Sequence, residues 1–491
     1  MDVLLMYCLI LLLSITPLLG VIILLFLPPS YLKSCFFITF TTSCVSFLVS
    51  LVLWIEFDSN LITFQFKVLF KWFDSLNFYY CAGIDGISLF FVILTTFLIS
   101  ICILVGWNTS LSNVKEYMIC FLLLEFFLIQ VFCVLDILLF YIFFESVLIP
   151  MFLIIGVWGS RARKIKASYQ FFLYTLFGSL FMLLGILTIY FEVGTTDVQI
   201  LWNHSFSLQR QFFLWAAFFL SFSIKIPMIP FHIWLPEAHS EAPTAGSIIL
   251  AGILLKLGGY GFIRFSIPMF PDASIYFTPL VYSLSLIAVL YASLTTLRQV
   301  DLKKIVAYSS VSHMGFVTIG LFSFNIQGIE GSIFLMLSHG LVSSALFLLI
   351  GILYERYKTR IIKYYSGLVQ VMPLFSIFFL FFTFANIAFP GTSSFVGELL
   401  VLISSLQFSA VLTFFISFNV VLSASYSIWL FNRVNFGVLK TFYVTQFQDL
   451  SKREFSILFI FSFLVCWLGV YPSIILDSLY LPTTVLLEQI N

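Results

Sequence analysis

Apolar stretches of bilayer-crossing length, about 20 residues each, recur along this chain with only short polar segments between them. The pattern predicts fourteen spanning helices: the first centred near Ser14, the fifth near Pro150, the seventh near Phe219, the eighth near Ala251, the twelfth near Ile387 and the last near Phe463. Two spans carry breakers. Pro227 and Pro230 follow Lys225, and Pro390 with Gly391 precedes Glu398. Proline removes an amide donor and clashes with the preceding turn, which a bilayer tolerates only where protein or a wet cavity supplies partners. The expected fold class is an all-α polytopic membrane protein of about 14 transmembrane helices, with helices 7 and 12 broken. Discontinuous helices in corresponding places suggest two five-helix repeats, inverted relative to each other because five is odd. The expected units are residues 1–115 with helices 1 to 3, 116–265 as the first repeat, 266–432 as the second, and 433–491 with a loop and helix 14.

The basic residues test this count, because Lys and Arg gather in the loops of one side. With fourteen spans, 17 of the 23 Lys and Arg fall after odd-numbered helices, including Arg161, Lys166, Lys303, Arg360 and Lys452. Only Lys67, Lys71, Arg210 and Arg264 lie opposite, and Lys225 and Lys256 remain inside spans. At 61% hydrophobic and 9% charged residues over 491 positions, the composition excludes a soluble globular protein and leaves no room for a soluble cofactor domain. The opening MDVLLMYCLILLLSITPLLG lacks the Arg-rich pattern of a transit peptide and reads as a first span.

Charge inside the spans points to chemistry. Glu398 is the sole charged residue between Lys363 and Arg433, and Glu145 the sole one between Asp136 and Arg161. Lys225 follows QFFLWAAFFLSFSI, and Lys256 follows APTAGSIILAGILL. A charge at mid-bilayer costs roughly 2.5 to 3.5 kcal/mol, so such residues face internal polar paths and mark ion or proton transfer. One of them could be a snorkelling side chain or a structural pair. Four, two acidic and two basic, favour transfer. The eight cysteines are scattered without metal or redox spacing, and His232 and His239 in HIWLPEAH match no usual helical zinc spacing. Neither a metal site nor a nucleotide loop is expected.

The stretch SFSIKIPMIPFHIWLPEAHSEAPTAGSIILAGILLKLGGYGFIRF, residues 221–265, resembles the antiporter-like subunits of respiratory NADH:quinone oxidoreductase. DLKKIVAYSSVSHMGFVTIG, MLSHGLVSSALFLLIGILYER and FPGTSSFVGELL continue the likeness in order. Glu398 is similar to the M-type branch of that family, where other branches carry lysine. The resemblance implies a proton relay. Lys225 would accept the proton under control of Glu145, Lys256 would be the central station and Glu398 the terminal one. Glu125, His313 and His339 match accessory polar positions. It further implies a subunit of the mitochondrial inner membrane, with basic loops in the matrix and termini toward the intermembrane space. NADH, FMN, iron–sulfur clusters and ubiquinone would be held by other subunits, other antiporter-like chains would be its neighbours, and no nucleic acid is expected. An Mrp-like monovalent cation/proton antiporter shares the pattern. A passive scaffold whose charges merely pair is the third possibility.

Overall fold

A computed structural model describes residues 2–73, 78–107, 113–443 and 448–490. The helices follow the predicted order: α1 Asp2–Phe26, α2 Leu32–Ile55, α3 Gly86–Gly106, α4 Val114–Cys133, α5 Ile137–Trp158 and α6 Lys164–Val193. Next come α7 Leu208–Lys225, α8 Thr244–Met269, α9 Thr278–Arg298, α10 Leu302–Leu321 and α11 Ile326–Tyr357. The twelfth helix, α12, is in two pieces, Pro373–Asn386 and Ser393–Phe408, followed by α13 Ala410–Asn435 and α14 Lys452–Val470. Eleven of these are long and apolar enough to span a bilayer. Adding α7, α10 and the two-piece α12 gives the fourteen expected. The chain is a multi-pass membrane protein.

Two features lie outside the sequence expectation. Between α2 and α3, strand β1 (Gln65–Phe73) pairs antiparallel with β2 (Phe78–Ile84), Val68 opposite Ala82 and Leu69 opposite Cys81. A further helix, α15 (Ser473–Glu488), follows α14 and packs on α11 and α3. Both predicted breaks are present. After Lys225 the helix gives way to a short turn and the helical piece Trp234–Glu241. Between the halves of α12 the backbone turns through Ala388 and Gly391, at φ of 64° and 91°.

The centre of the bundle is α8 and α11, whose apolar windows are wholly buried. Outer helices such as α13 and α14 instead present Phe414, Val421, Phe459 and Phe463, the face expected toward lipid. Glycine lets the central pair meet. A Cβ on Gly340 of α11 would lie 3.0 Å from the Gly252 carbonyl of α8 and 2.9 Å from Leu94. On the other side of α8, a Cβ on Gly258 would fall 2.8 Å from the Phe222 carbonyl of α7.

One end of α8 is locked by a buried ion pair. The Arg264 guanidinium lies 2.7 Å from Asp85, the N-cap of α3, whose carboxylate also accepts from the Ser88 amide. Burial alone would raise the Asp85 carboxyl, but Arg264 and Ser88 outweigh it and hold it below the ordinary carboxylate range. Its stabilisation is therefore complete above the unfolded value of about 3.9 and is lost only as pH falls through the still lower folded value. Asp85→Ala should cost about 3 to 5 kcal/mol, because it strands a buried guanidinium. The check is the inactivation temperature of the purified protein. An unchanged temperature would show that the pair is dispensable.

Candidate functional site: a buried row of proton-carrying groups

Four helices bring four of the predicted residues into one row. Lys256 is central, on a part of α8 flanked by wider, π-helical turns at Leu250–Leu254 and Phe262–Ser266. Such turns shift backbone bonding by one residue and often occur at functional sites. Here the Lys256 ammonium donates to the Ala251 carbonyl five residues back. It also lies 2.9 Å from Nδ1 of His339 on α11. The His339 ring centroid is 5.6 Å from that of His313 on α10, and His313 Nδ1 is 3.0 Å from Glu398 Oε1 on the second piece of α12. Lys256 and His339 are 83 residues apart in sequence, and His313 and Glu398 are 85 apart. All four are at most 5% exposed. The break in α12 helps set the far end, since Ser394, one turn before Glu398, donates to the Ala385 carbonyl of the first piece, which also accepts from the Ala388 amide at 3.2 Å.

The Glu145–Lys225 pair is more open than expected. Lys225 ends α7 at the break and is 2% exposed, yet its ammonium has no hydrogen-bond partner. It stands 4.4 Å over the ring centroid of Phe144, the residue before Glu145. Glu145 is half-buried, and its Oε1 also lacks a partner. Among the described residues no ion pair within 4.0 Å joins the two, although Glu145 is the charge that acts on Lys225. Glu125 lies apart from the row. It is fully buried on α4 and accepts from Ser46 of α2, leaving Oε2 unpartnered.

Sequence reasoning passed over several polar groups near the row. His239, fully buried, stacks on Phe347 with centroids 4.5 Å apart, and neither ring nitrogen has a partner. Lys303, taken as a loop residue, is buried and donates to the Ala242 carbonyl at 2.7 Å and to Ser247 at 3.3 Å. Arg360, also taken as a loop residue, is fully buried 3.3 Å from Glu241 and 3.6 Å from Asp301. Tyr426 of α13 is buried beside Glu398. The signal available for His239 and Glu241 was their place in the motif HIWLPEAHSEAP. For Lys303 and Arg360 nothing distinguished them from the solvated basic residues around them. Among the described residues no three His, Cys, Asp or Glu side chains gather closely enough to hold a metal ion.

Lysine, histidine and glutamate side chains buried in one row can each hold or release a proton, and comparison with known proteins gives the family of the chain that carries them. The family described as "NADH:quinone oxidoreductase/Mrp antiporter, TM" matches residues 134–423, which include every group of the row. The chain belongs to that family. It is 67% identical to NADH-ubiquinone oxidoreductase chain 4 of Chondrus crispus, over 97% of each chain. The protein of the same description from Arabidopsis thaliana is 61% identical, over 97% of this chain and 96% of that one. Among solved structures, respiratory complex I from Thermus thermophilus with bound NADH contains a chain that matches with TM-score 0.88 and 28% identity, covering 99% of this chain and all of that one. The Mrp complex from Dietzia sp. DQ12-45-1b contains a chain that matches with TM-score 0.86 and 18% identity, covering 99% and 98%, which shows the shared fold alone.

Proposed function

We propose that this chain serves as the proton-translocating membrane-arm subunit, subunit 4, of NADH:ubiquinone oxidoreductase. The observation that carries the mechanism is the row Lys256–His339–His313–Glu398 across four helices, hydrogen-bonded at both ends with the two imidazole centroids 5.6 Å apart in the middle. Each member can hold or release a proton, and neighbours lie at contact or near it. Glu145 and Lys225 would load the row, and Glu398 would end it, releasing a proton by becoming an anion where a lysine would become neutral. Glu125 would be accessory, as its separate pairing with Ser46 fits. His239, Glu241 and Ser247 precede Lys256 in the chain, Lys303 donates to Ser247 at 3.3 Å, and we take these groups as a route by which protons reach the centre.

NADH, FMN, iron–sulfur clusters and ubiquinone are assigned to other subunits, because this chain is almost wholly spanning helix. Electron transfer there would drive this row through neighbouring membrane-arm subunits, the other antiporter-like chains first among them. The location follows as the mitochondrial inner membrane. Of the 21 Lys and Arg other than Lys225 and Lys256, 17 fall on the side that would face the matrix, with the termini toward the intermembrane space. The alternative, a cation/proton antiporter acting with Mrp-type partners, rests on fold likeness at 18% identity.

Affinity purification of the tagged chain in mild detergent separates the two. The expected result is a large assembly that carries flavin and oxidises NADH. A chain that purifies without redox activity and exchanges sodium for protons in vesicles would overturn the proposal.

A further inference from the structure

We infer that Phe144 is a positioning residue for Lys225: its ring face holds the ammonium when the Glu145 carboxylate is withdrawn, so the lysine alternates between two adjacent residues of one helix. The inference rests on the proposed relay and deepens it. Lys225 Nζ sits 4.4 Å above the Phe144 centroid, within the range in which a ring quadrupole attracts a cation. No hydrogen-bond acceptor competes for it, and Glu145 is the one charged side chain that acts on it among the described residues. The ring is itself held in place. It is fully buried, with Phe140 of α5 at 5.4 Å and the edge-on Phe222 of α7 at 6.1 Å between centroids.

Successive residues on a helix point about 100° apart, so Phe144 faces the core while Glu145 lies at a half-buried edge. A missing backbone bond follows directly. Val147 keeps helical φ and ψ of −58° and −28° and donates to the Phe143 carbonyl at 3.2 Å, but the helix loses a bond one turn on. Pro150 has no amide to give the Ser146 carbonyl, and the Ser146 hydroxyl donates back to Ile142 at 2.7 Å. Glu145 thus sits next to the residue whose helical bond Pro150 removes, while Phe144 is clamped.

The two partners differ in what they do to the proton. A carboxylate pairs with the ammonium and can take its proton back. A π face stabilises the charge but has no lone pair to accept a proton, so the proton stays on the lysine until the next acceptor is within reach. Phe144 would then keep Lys225 loaded, without trapping it, after the ion pair opens. A desolvated cation–π contact corresponds to roughly tenfold or more in the equilibrium between charged and neutral lysine.

The test is the pH dependence of the proton-to-electron ratio of the intact complex in sealed membranes, normalised to assembled enzyme on native gels. Phe144→Leu removes the π face while keeping an apolar side chain, and Phe144→Tyr keeps the face. The Leu variant is expected to lose pumping on the alkaline side at a pH lower by about one unit, and the Tyr variant to match the unaltered enzyme. Phe144→Met replaces Leu in the comparison where the Leu variant does not assemble. A Leu profile that overlies the unaltered one, or a Tyr profile that moves with Leu, overturns the proposal. Glu145→Gln separates this from the larger reading. Lost pumping there with an unshifted Phe144→Leu profile removes Phe144 alone, whereas normal pumping in Glu145→Gln removes the loading scheme and Phe144 with it.

Discussion

Lys256→Met is expected to abolish proton translocation through this subunit while the complex still assembles. Lys256 is the junction of the row, fully buried, with one donor on the Ala251 carbonyl and the amine 2.9 Å from His339. Methionine is unbranched, fills irregular gaps and tolerates burial, so the packing of α8 against α11 should survive. The replacement leaves His339 Nδ1 and the Ala251 carbonyl without their shared partner, which costs about 1 to 3 kcal/mol for each buried group left unsatisfied. Against that stands the removal of a charge whose burial is itself costly, so the stability effects oppose each other. The functional effect has no such offset, because among the described residues Lys256 is the side chain that bonds both the Ala251 carbonyl and His339. A positioned proton-transfer group contributes typically 10²- to 10⁴-fold. Coupled NADH:quinone turnover should therefore fall by about 100-fold if this step limits it, and the proton-to-electron ratio should drop. Assembled Lys256→Met enzyme with an unaltered ratio would take Lys256 out of the path.

The isolated charges were legible in the sequence because lipid makes them conspicuous. Lys256 and Glu398 stand in long uncharged stretches, and the cost of burying them is the reason to look for a path. The same cost makes the breaks legible, since Pro227, Pro230, Pro390 and Gly391 free backbone groups that need internal partners. What joins the stations was not legible. His313 meets Glu398 across 85 residues, and nothing local to either side chain specifies the other. Lys303 and Arg360 were hidden for the opposite reason. They lie in segments rich in basic residues, where a solvated cation is the ordinary expectation, yet the fold buries them beside Glu241 and Asp301.

The hairpin Gln65–Ile84 was missed because QFKVLFKWF mixes lysine with aromatic residues in a segment between two dominant spans. Helix α15 was missed because SIILDSLYLPTTVLLE carries an aspartate and a proline and is short for a span. The pairing of Glu145 with Lys225 could be anticipated in kind but not in geometry. A direct pair at about 4 Å would be worth on the order of 4 kcal/mol at an effective dielectric near 20, and contact between them was the natural expectation. The structure puts an aromatic face there instead. Separation of the pair is a state the proposed mechanism requires, and the observed arrangement is compatible with it.

Glu398→Gln should assemble normally and lose proton transfer at the end of the row. Glutamine keeps the shape of the side chain and an oxygen that can accept from His313, so the 3.0 Å contact has a substitute. It also removes a charge that costs roughly 2.5 to 3.5 kcal/mol at mid-bilayer, which favours insertion of the second piece of α12. What glutamine cannot do is exchange a proton. Glu398→Asp makes the complementary case: it titrates, but its shorter stem draws the carboxylate back from His313 by about 1.5 Å, one carbon–carbon bond. The expected order in proton-to-electron ratio, measured on assembled enzyme, is unaltered, then Asp, then Gln, with Gln lowest at every pH between 6 and 8. If Glu398 served only to hold His313 in place, the order would reverse, because glutamine preserves the contact that aspartate lengthens. A Gln variant that pumps as well as the unaltered enzyme while the Asp variant falls would assign Glu398 to structure and move the end of the row to His313.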